Sequence, residues 1–197
     1  VSGSVFTGAT LAGSSFEGIG KNANWSFTTR AGKPAAGLST ITVDDTGTTA
    51  DFRSVQSALN YAMENSTVTP ITIQIKDGVY EEPLYLGNRN NVNLIGESRT
   101  GTVIQYPNNN TLNASTDGRA VFLAATVDML TLDTLTLKNT SLIGTGGQAE
   151  TIYFNSTTGT GRLVAKNANF ISEQDTLLLK GWTWFYNTLV AGNVDFI

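Results

Sequence analysis

Hydrophobic and polar residues alternate in short segments along most of the chain, and this period of two residues is typical of strands. Turn residues separate the segments, so each strand is expected to be short. One stretch, ADFRSVQSALNYAMEN, has helical spacing instead, with Phe52, Val55, Leu59, Ala62 and Met63 on one predicted face. The pattern predicts a mostly β protein with one short helix. The strand-like segments are ITIQI, VNLIG, TVIQY, AVFLAA, MLTLDTLTL, TIYF, RLVA and LLL.

An asparagine is associated with a strand-like segment at three places in the second half of the chain. Asn139, Asn167 and Asn187 are 28 and 20 residues apart. This spacing lies in the range of a one-coil solenoid repeat, which is about 20 to 30 residues. We therefore predict a parallel β-helix, in which equivalent positions of successive coils stack about 4.8 Å apart. The asparagines themselves are expected to form structural ladders at the turns.

Four polar residues follow these asparagines at similar distances and are expected to meet at one corner of the solenoid: Gln148, Gln174, Asp175 and Asp195. Two carboxylates about 5 Å apart cannot both ionise cheaply, so one is expected to remain a proton donor while the other is an anionic nucleophile. The two carboxamides can donate N–H groups to an oxyanion. The set predicts ester hydrolysis, although polar residues at solenoid turns can also be purely structural.

The composition excludes several other functions. The 197 residues include no histidine and no cysteine, which excludes Ser-His-Asp and Cys-His catalysis, disulfides and His-ligated metal sites within this chain. The formal net charge is −4, and no cluster of Lys or Arg could neutralise a run of phosphates, so no nucleic-acid partner is expected. No apolar run approaches the roughly 18 residues of a membrane span, so no membrane partner is expected.

Glycine, serine and proline divide the chain into two predicted parts. Residues 1–29 contain short β-like pieces, and the pattern from Trp25 to Thr29 is similar to the closing strand of bacterial immunoglobulin-like modules. The sequence RAGKPAAGLS at residues 30–39 is typical of a linker. Residues 40–197 then form the predicted β-helix domain, with the short helix as its N-terminal cap.

Four motifs in order resemble the pectin methylesterase, or pectinesterase, family: GVYEE (78–82), GQAE (147–150), QDTL (174–177) and GNVDFI (192–197). The resemblance covers about four-fifths of the chain, and SEQDTLLLKGWTWFY is more similar to bacterial than to plant members. It implies an all-β, right-handed parallel β-helix that removes methyl esters from pectin (homogalacturonan), giving methanol and free galacturonate carboxylates. It also implies a secreted protein that needs no metal and no organic cofactor.

The resemblance implies a role for each residue at the predicted corner. Asp195 would be the nucleophile, Asp175 the acid that protonates methanol and then the base that activates water, and Gln148 and Gln174 the oxyanion hole. Trp182 or Trp184 would contact the sugar rings. Tyr80 and Glu82 of GVYEE are expected to be structural.

The family continues beyond the position of Ile197 with a glycine and, further on, an arginine that hydrogen-bonds the nucleophile. We therefore expect a C-terminally truncated form that is poorly active alone and that could be completed by a C-terminal fragment of the same protein. Two other functions stay open at this point. One is a β-helical polysaccharide lyase or hydrolase, which would need an acidic Ca²⁺ site with a base or paired carboxylates around a glycosidic bond. The other is a non-catalytic carbohydrate-binding adhesin.

Overall fold

The structure is a computed structural model that describes residues 32, 34–47, 49–142, 144 and 147–197, together with two short strands nearer the start. The chain divides into two compact units, residues 1–33 and residues 34–197. In the first unit, β1 (Thr10–Leu11) pairs with β2 (Ser14–Ser15) in an antiparallel ladder. The immunoglobulin-like pattern at Trp25–Thr29 lies outside the described residues, so this assignment and the linker remain predictions.

The second unit is a parallel β-helix whose coils contribute one strand to each of three parallel sheets. Within the described residues, no helix has the length and apolar character needed to cross a membrane. The largest sheet has six strands: β3 (Thr40–Val43), β4 (Ile71–Ile75), β7 (Val92–Gly96), β10 (Leu130–Asp133), β13 (Arg162–Lys166) and β16 (Trp182–Tyr186). Their spatial order is β16-β13-β10-β7-β4-β3.

The other two sheets have five and four strands, and all their strand pairs are parallel. The chain passes from the five-stranded sheet to the four-stranded sheet at one corner of each coil. The five-stranded sheet contains β5 (Gly78–Glu81), β8 (Thr102–Tyr106), β11 (Thr136–Asn139), β14 (Asn169–Ile171) and β17 (Leu189–Ala191). The four-stranded sheet contains β6 (Leu84–Gly87), β9 (Phe122–Ala125), β12 (Ile152–Asn155) and β15 (Leu177–Lys180).

The core consists of identical strand positions stacked from coil to coil. In the six-stranded sheet, the register places Ile41, Ile73, Leu94, Leu132 and Ala165 in one row. All five side chains are 0% exposed. Burial of each large aliphatic side chain contributes about 1.5–3 kcal/mol. The alternation seen in the sequence therefore corresponds to one side chain inside and the next outside, and the predicted parallel β-helix is confirmed.

One helix, α1 (Val55–Glu64), packs against the first coil and is the predicted cap. Ser54 is its N-cap and accepts a hydrogen bond from the Ser57 N–H at 3.2 Å. The predicted helix face was partly wrong, because Phe52 lies before the helix in a β-bridge with Val43. Met63 is only half-buried. The buried residues of the helix are Val55, Ala58, Leu59, Tyr61 and Ala62.

The GVYEE segment is structural, as expected. Glu82 accepts the Val55 N–H at 2.7 Å and the Gln56 N–H at 3.0 Å, so its carboxylate holds the first turn of the helix. Tyr80 is buried and donates its hydroxyl to the Lys76 carbonyl at 2.9 Å. Burial raises the pKa of Tyr80 to about 12, which keeps the hydroxyl protonated.

The asparagine repeat is only partly in register. Asn187 donates to the Asn167 side-chain oxygen at 2.8 Å, and Asn167 donates to Asp133 at 3.1 Å, which forms the expected ladder. Asn139 is not part of this ladder, because it ends a strand of the five-stranded sheet, whereas Asn167 follows a strand of the six-stranded sheet. The coil position equivalent to Asn167 is occupied by Thr134.

Candidate active site

The candidate site lies at the corner where successive coils pass from the five-stranded to the four-stranded sheet. Asp175 and Asp195 occupy equivalent positions in adjacent coils, since the Asp175 N–H donates to the Val194 carbonyl at 2.9 Å and Gln174 forms a β-bridge with Val194. Both aspartates have positive φ, 54° and 44°. Aspartate tolerates this left-handed bend better than most residues. The same bend is therefore repeated one coil apart, with an acid at each.

Buried hydroxyl groups fix the backbone on either side of this bend. Ser172 donates its hydroxyl to the Ala149 carbonyl at 2.5 Å, which ties one coil to the preceding one. Thr176 is 0% exposed and donates to the Ala191 carbonyl at 3.0 Å in the next coil. Ser172 and Thr176, which lie on either side of Gln174 and Asp175, therefore have a structural role, because each ties its coil to a neighbouring coil.

Asp175 is electrostatically suited to hold a proton. Burial raises the pKa of its carboxyl, and the negative charge of Asp195 raises it further. The positive charge of Arg119 and a hydrogen bond from Gln174 act in the opposite direction, but the net shift of the pKa is upward. Asp195 itself is exposed. The two carboxyl groups therefore differ in environment in the way that separates an acid from a nucleophile.

Two charged residues that the sequence reasoning missed complete the corner. Counting back from the Ile152–Leu177 pair places Glu150 opposite Asp175, one coil earlier. Glu150 is 0% exposed and accepts the Nε–H of Arg119 at 2.6 Å. Its second oxygen, Oε2, has no hydrogen-bond partner in the part of the chain that the structure describes. Burial raises the pKa of the Glu150 carboxyl.

Gln148 joins the site through Arg119 rather than through the predicted register. The strand pairing places it opposite Glu173, one position away from the Gln174 register. The count from Asn139 fails because the connection from residue 140 to residue 151 is longer than the matching connection in the next coil. Gln148 is nevertheless held at the corner, since its Oε1 accepts a hydrogen bond from Nη1 of Arg119.

The two predicted substrate-contact residues lie on a different sheet from this corner. Trp182 and Trp184 are in β16, at the edge of the six-stranded sheet, and are 65% and 54% exposed. The Trp184 ring stacks on Tyr186 with a centroid distance of 5.7 Å and an interplanar angle of 3°. Along the chain, the four-residue strand β15, which is about 13 Å long, lies between Asp175 and Trp182.

No group of three or more acidic side chains among the described residues is arranged to hold a metal ion. Glu150, Asp175 and Asp195 are stacked, but Arg119 occupies the first of them. The chemistry that this corner can perform without a bound ion is proton transfer, nucleophilic attack by a carboxylate and stabilisation of an oxyanion by amide N–H groups.

The pectinesterase sequence profile matches residues 40–197, which include every residue of the candidate site. The chain belongs to the pectinesterase family. It is 34% identical over 152 residues to Pectinesterase 4 of Arabidopsis thaliana, covering 74% of this chain and 24% of that protein. It is 29% identical over 161 residues to a pectinesterase of Daucus carota, covering 75% of this chain and 44% of that protein.

Solved pectinesterases share the fold. The pectin methylesterase from carrot superposes with a TM-score of 0.70 at 25% identity, covering 87% of this chain and 50% of that one. Pectin methylesterase PemA from Erwinia chrysanthemi gives a TM-score of 0.65 at 25% identity, covering 80% and 50% of the two chains. The chain thus spans about half the length of these solved relatives. The similarity to bacterial members in particular stays a prediction, because the curated relatives above are plant proteins.

Proposed function

We propose that the protein hydrolyses the methyl esters of pectin and releases methanol and free galacturonate carboxylates. The observation that carries this proposal is the pairing of Asp175 and Asp195 on adjacent coils, with a raised pKa on the half-buried member. Membership of the pectinesterase family supports the choice of a methyl ester as substrate. The lack of any histidine is no obstacle, because both proton transfer and nucleophilic attack can be performed by carboxyl groups.

In the proposed first step, the Asp195 carboxylate attacks the carbonyl carbon of the ester. The carbonyl π electrons move to oxygen, and the N–H groups of Gln148 and Gln174 stabilise the resulting oxyanion. When the intermediate collapses, the bond to the methoxy oxygen breaks, and protonated Asp175 donates its proton to that oxygen. Methanol leaves, and the galacturonate acyl group is bound to Asp195 as an anhydride.

In the second step, Asp175 is an anion and acts as a base. It removes a proton from water, and the water oxygen attacks the acyl carbon. Collapse of this intermediate releases the galacturonate carboxylic acid, which ionises in water, and restores the Asp195 carboxylate. The cycle therefore consumes one ester and one water and returns Asp175 to its protonated form, without a metal or an organic cofactor.

The substrate is a polymer, so we infer that contacts extend beyond the reacting sugar. Trp182 and Trp184 offer exposed aromatic faces, on which sugar rings can stack. We also infer a secreted, bacterial protein that acts on plant cell-wall pectin. A C-terminal segment that supplies further coils after Asp195 is a proposed partner, since the solved relatives are about twice as long as this chain.

Release of methanol from highly methylated pectin by the full-length protein tests the proposal directly. We expect methanol and carboxylate to appear in equal amounts. Absorbance from unsaturated uronates would instead identify a lyase, and new reducing ends would identify a glycoside hydrolase. Binding to pectin without any of these products would support the non-catalytic adhesin and overturn the esterase.

A further inference from the structure

Arg119 contacts two side chains of the candidate site at once. Its Nε–H donates to Glu150 Oε1 at 2.6 Å, and its Nη1 donates to Gln148 Oε1. The Arg119 side chain is 12% exposed and that of Glu150 is 0% exposed. The guanidinium is therefore fixed from the inside of the solenoid by a buried carboxylate, while its outer edge holds an exposed carboxamide.

This contact determines which way the Gln148 carboxamide faces. A guanidinium only donates hydrogen bonds, so the Gln148 atom that meets it must be the oxygen. The amide NH₂ is then directed away from Arg119. The backbone at this point is also fixed, because the Gln148 carbonyl accepts the Asn110 N–H at 3.0 Å and the Glu150 carbonyl accepts the Val121 N–H at 3.0 Å. The side-chain amide of Gln148, unlike the backbone, is oriented by its contact with Arg119.

An oxyanion hole needs N–H groups that already point at the place where negative charge develops. A glutamine on the surface with no partner can turn its amide over and present oxygen there, which would repel the oxyanion. We propose that Arg119, anchored by Glu150, is a positioning residue that holds the Gln148 amide with its N–H groups available to the substrate. This inference rests on the proposed function, because it specifies how one of the proposed oxyanion donors is oriented.

The positive charge of Arg119 gives the arrangement a second, measurable effect. Asp175 is faced by three charged groups: Arg119 in the coil two before it, Glu150 in the preceding coil and Asp195 in the next. Arg119 lowers the pKa of Asp175, whereas Asp195 raises it. Removal of the guanidinium should therefore raise the pKa of Asp175, and a lysine that keeps the charge should not.

The decisive experiment is a double-mutant cycle on the full-length protein with Arg119→Met, Gln148→Ala and both together. Complete loss of one oxyanion donor lowers kcat by about 100-fold to 1000-fold. Because Arg119→Met disorders the Gln148 amide without removing it, we expect a smaller loss of about tenfold in kcat, with KM nearly unchanged. In the Gln148→Ala background, Arg119→Met should add less than about a twofold loss, because the amide that it positions is gone. Losses that multiply fully would overturn the proposal.

The conservative variant separates charge from orientation. Arg119→Lys keeps a positive charge but lacks the planar fork that can bind Glu150 and Gln148 together. We expect it to restore the basic limb of the pH profile to its wild-type position while restoring kcat only in part. In Arg119→Met the basic limb should move to higher pH. A basic limb that stays in place in Arg119→Met would contradict the predicted influence on Asp175.

A matched control is available at a different corner. Arg99 is also partly buried and also clamps a carboxamide, donating to Asn169 Oδ1 at 2.7 Å and to the Ala168 carbonyl at 3.1 Å. Arg99→Met removes an equivalent contact away from the candidate site. We expect it to lower the melting temperature but to leave kcat within about twofold of the wild-type value, as for most residues outside an active site. An equal loss of kcat would show that Arg119 acts only through stability.

The orientation of Gln148 can also be measured without any activity. The side-chain amide signals of Gln148 should be sharp and slow to exchange in the wild type and in Arg99→Met, and should become mobile in Arg119→Met. If the wild type released no methanol but this change occurred, the proposed function would fail and the positioning would stand. If methanol were released but Gln148 were equally mobile in all three proteins, the proposed role of Arg119 would be wrong while the proposed function would stand.

Discussion

Two glutamates at opposite ends of the solenoid are held in opposite ways. Glu82, beside the first coil, accepts a backbone N–H on each oxygen, at 2.7 Å and 3.0 Å, and so completes the start of the helix. Glu150, at the candidate site, is 0% exposed, has one oxygen bound by Arg119, and has no described partner for the other. The Glu82 carboxylate stabilises the fold through these hydrogen bonds, whereas burial of the incompletely paired Glu150 carboxyl destabilises it.

A buried charge without full compensation destabilises a protein unless something else favours it. At this corner Glu150 stacks beneath Asp175 and anchors Arg119, which in turn contacts Gln148. Imperfectly satisfied ionisable groups gather at functional sites for this reason. We therefore expect substitutions of Glu82, at the start of helix α1, to change stability, and substitutions at the corner of Asp175 and Asp195 to change catalysis.

The largest expected effect is at Asp195. Asp195→Asn keeps the shape of the side chain but removes the nucleophile, so we expect kcat for methanol release to fall at least about 1000-fold. Because asparagine has nearly the same shape and volume as aspartate, the melting temperature should stay within about 2 °C of the wild-type value. Activity above a tenth of the wild-type level would exclude Asp195 as the nucleophile.

The next effect concerns the pH dependence set by Asp175. The acid must be protonated in the first step, so kcat/KM should fall as the pH rises through its pKa. Since burial and the charge of Asp195 raise this pKa, the basic limb should lie above the usual range of an aspartate.

Asp175→Asn tests this assignment. The variant should lose the basic limb, and its kcat should be about 100-fold to 1000-fold lower than that of the wild type. A basic limb that persists in Asp175→Asn would have to come from another group. Glu82→Gln is the matched control, because it changes a carboxylate at the other end of the solenoid and should leave the pH profile unchanged.

Most of the fold could be predicted from the sequence because one physical pattern repeats. Strict alternation in segments such as ITIQI and VNLIG places every second side chain in the core, and the structure has Ile71, Ile73 and Leu94 fully buried. The acids of QDT and VDF could also be paired, since both follow a strand of similar length. Local patterns were sufficient wherever successive coils have nearly the same length.

Arg119 and Glu150 could not be found in this way. Arg119 lies in an earlier coil with no polar repeat to mark it, and its contacts depend on where two coils meet in space. Glu150 follows Gln148 by two positions and could have been found by counting back from the strand at Ile152 instead of forward from Asn139. A fixed count fails across a connection of variable length, whereas strand pairing does not.

At Glu82, beside the first turn of helix α1, we expect a change in stability without a change in the rate of methanol release. Glu82→Ala leaves two N–H groups of the first helical turn without their carboxylate, which should lower the free energy of unfolding by about 1–2 kcal/mol. Urea unfolding measures this value, and kcat should stay within about twofold of the wild type. If Glu82→Ala instead lowered kcat with unchanged stability, the division of roles between the two ends would be wrong.

The smallest expected effect is at the aromatic row of the six-stranded sheet. Trp184 stacks on Tyr186 and exposes 54% of its surface, so a sugar ring can use the face that the tyrosine leaves free. Loss of one such contact removes about 1 kcal/mol, which corresponds to about a fivefold higher KM on pectin. The rate at saturation should not change, because Trp184 lies on the six-stranded sheet, whereas the two aspartates lie at the corner between the other two sheets.

Substrate length sharpens the test of Trp184→Ala. A short methylated oligomer that fills only the corner at Asp175 and Asp195 cannot reach β16, so its KM should be the same for Trp184→Ala and the wild type. Tyr85→Ala, which removes an aromatic residue that is 45% exposed on the four-stranded sheet, is the control for the loss of any surface ring. A fivefold higher KM for the short oligomer in Trp184→Ala would mean that Trp184 affects binding at the corner of Asp175 and Asp195. The proposed contact between Trp184 and a more distant sugar unit would then be wrong.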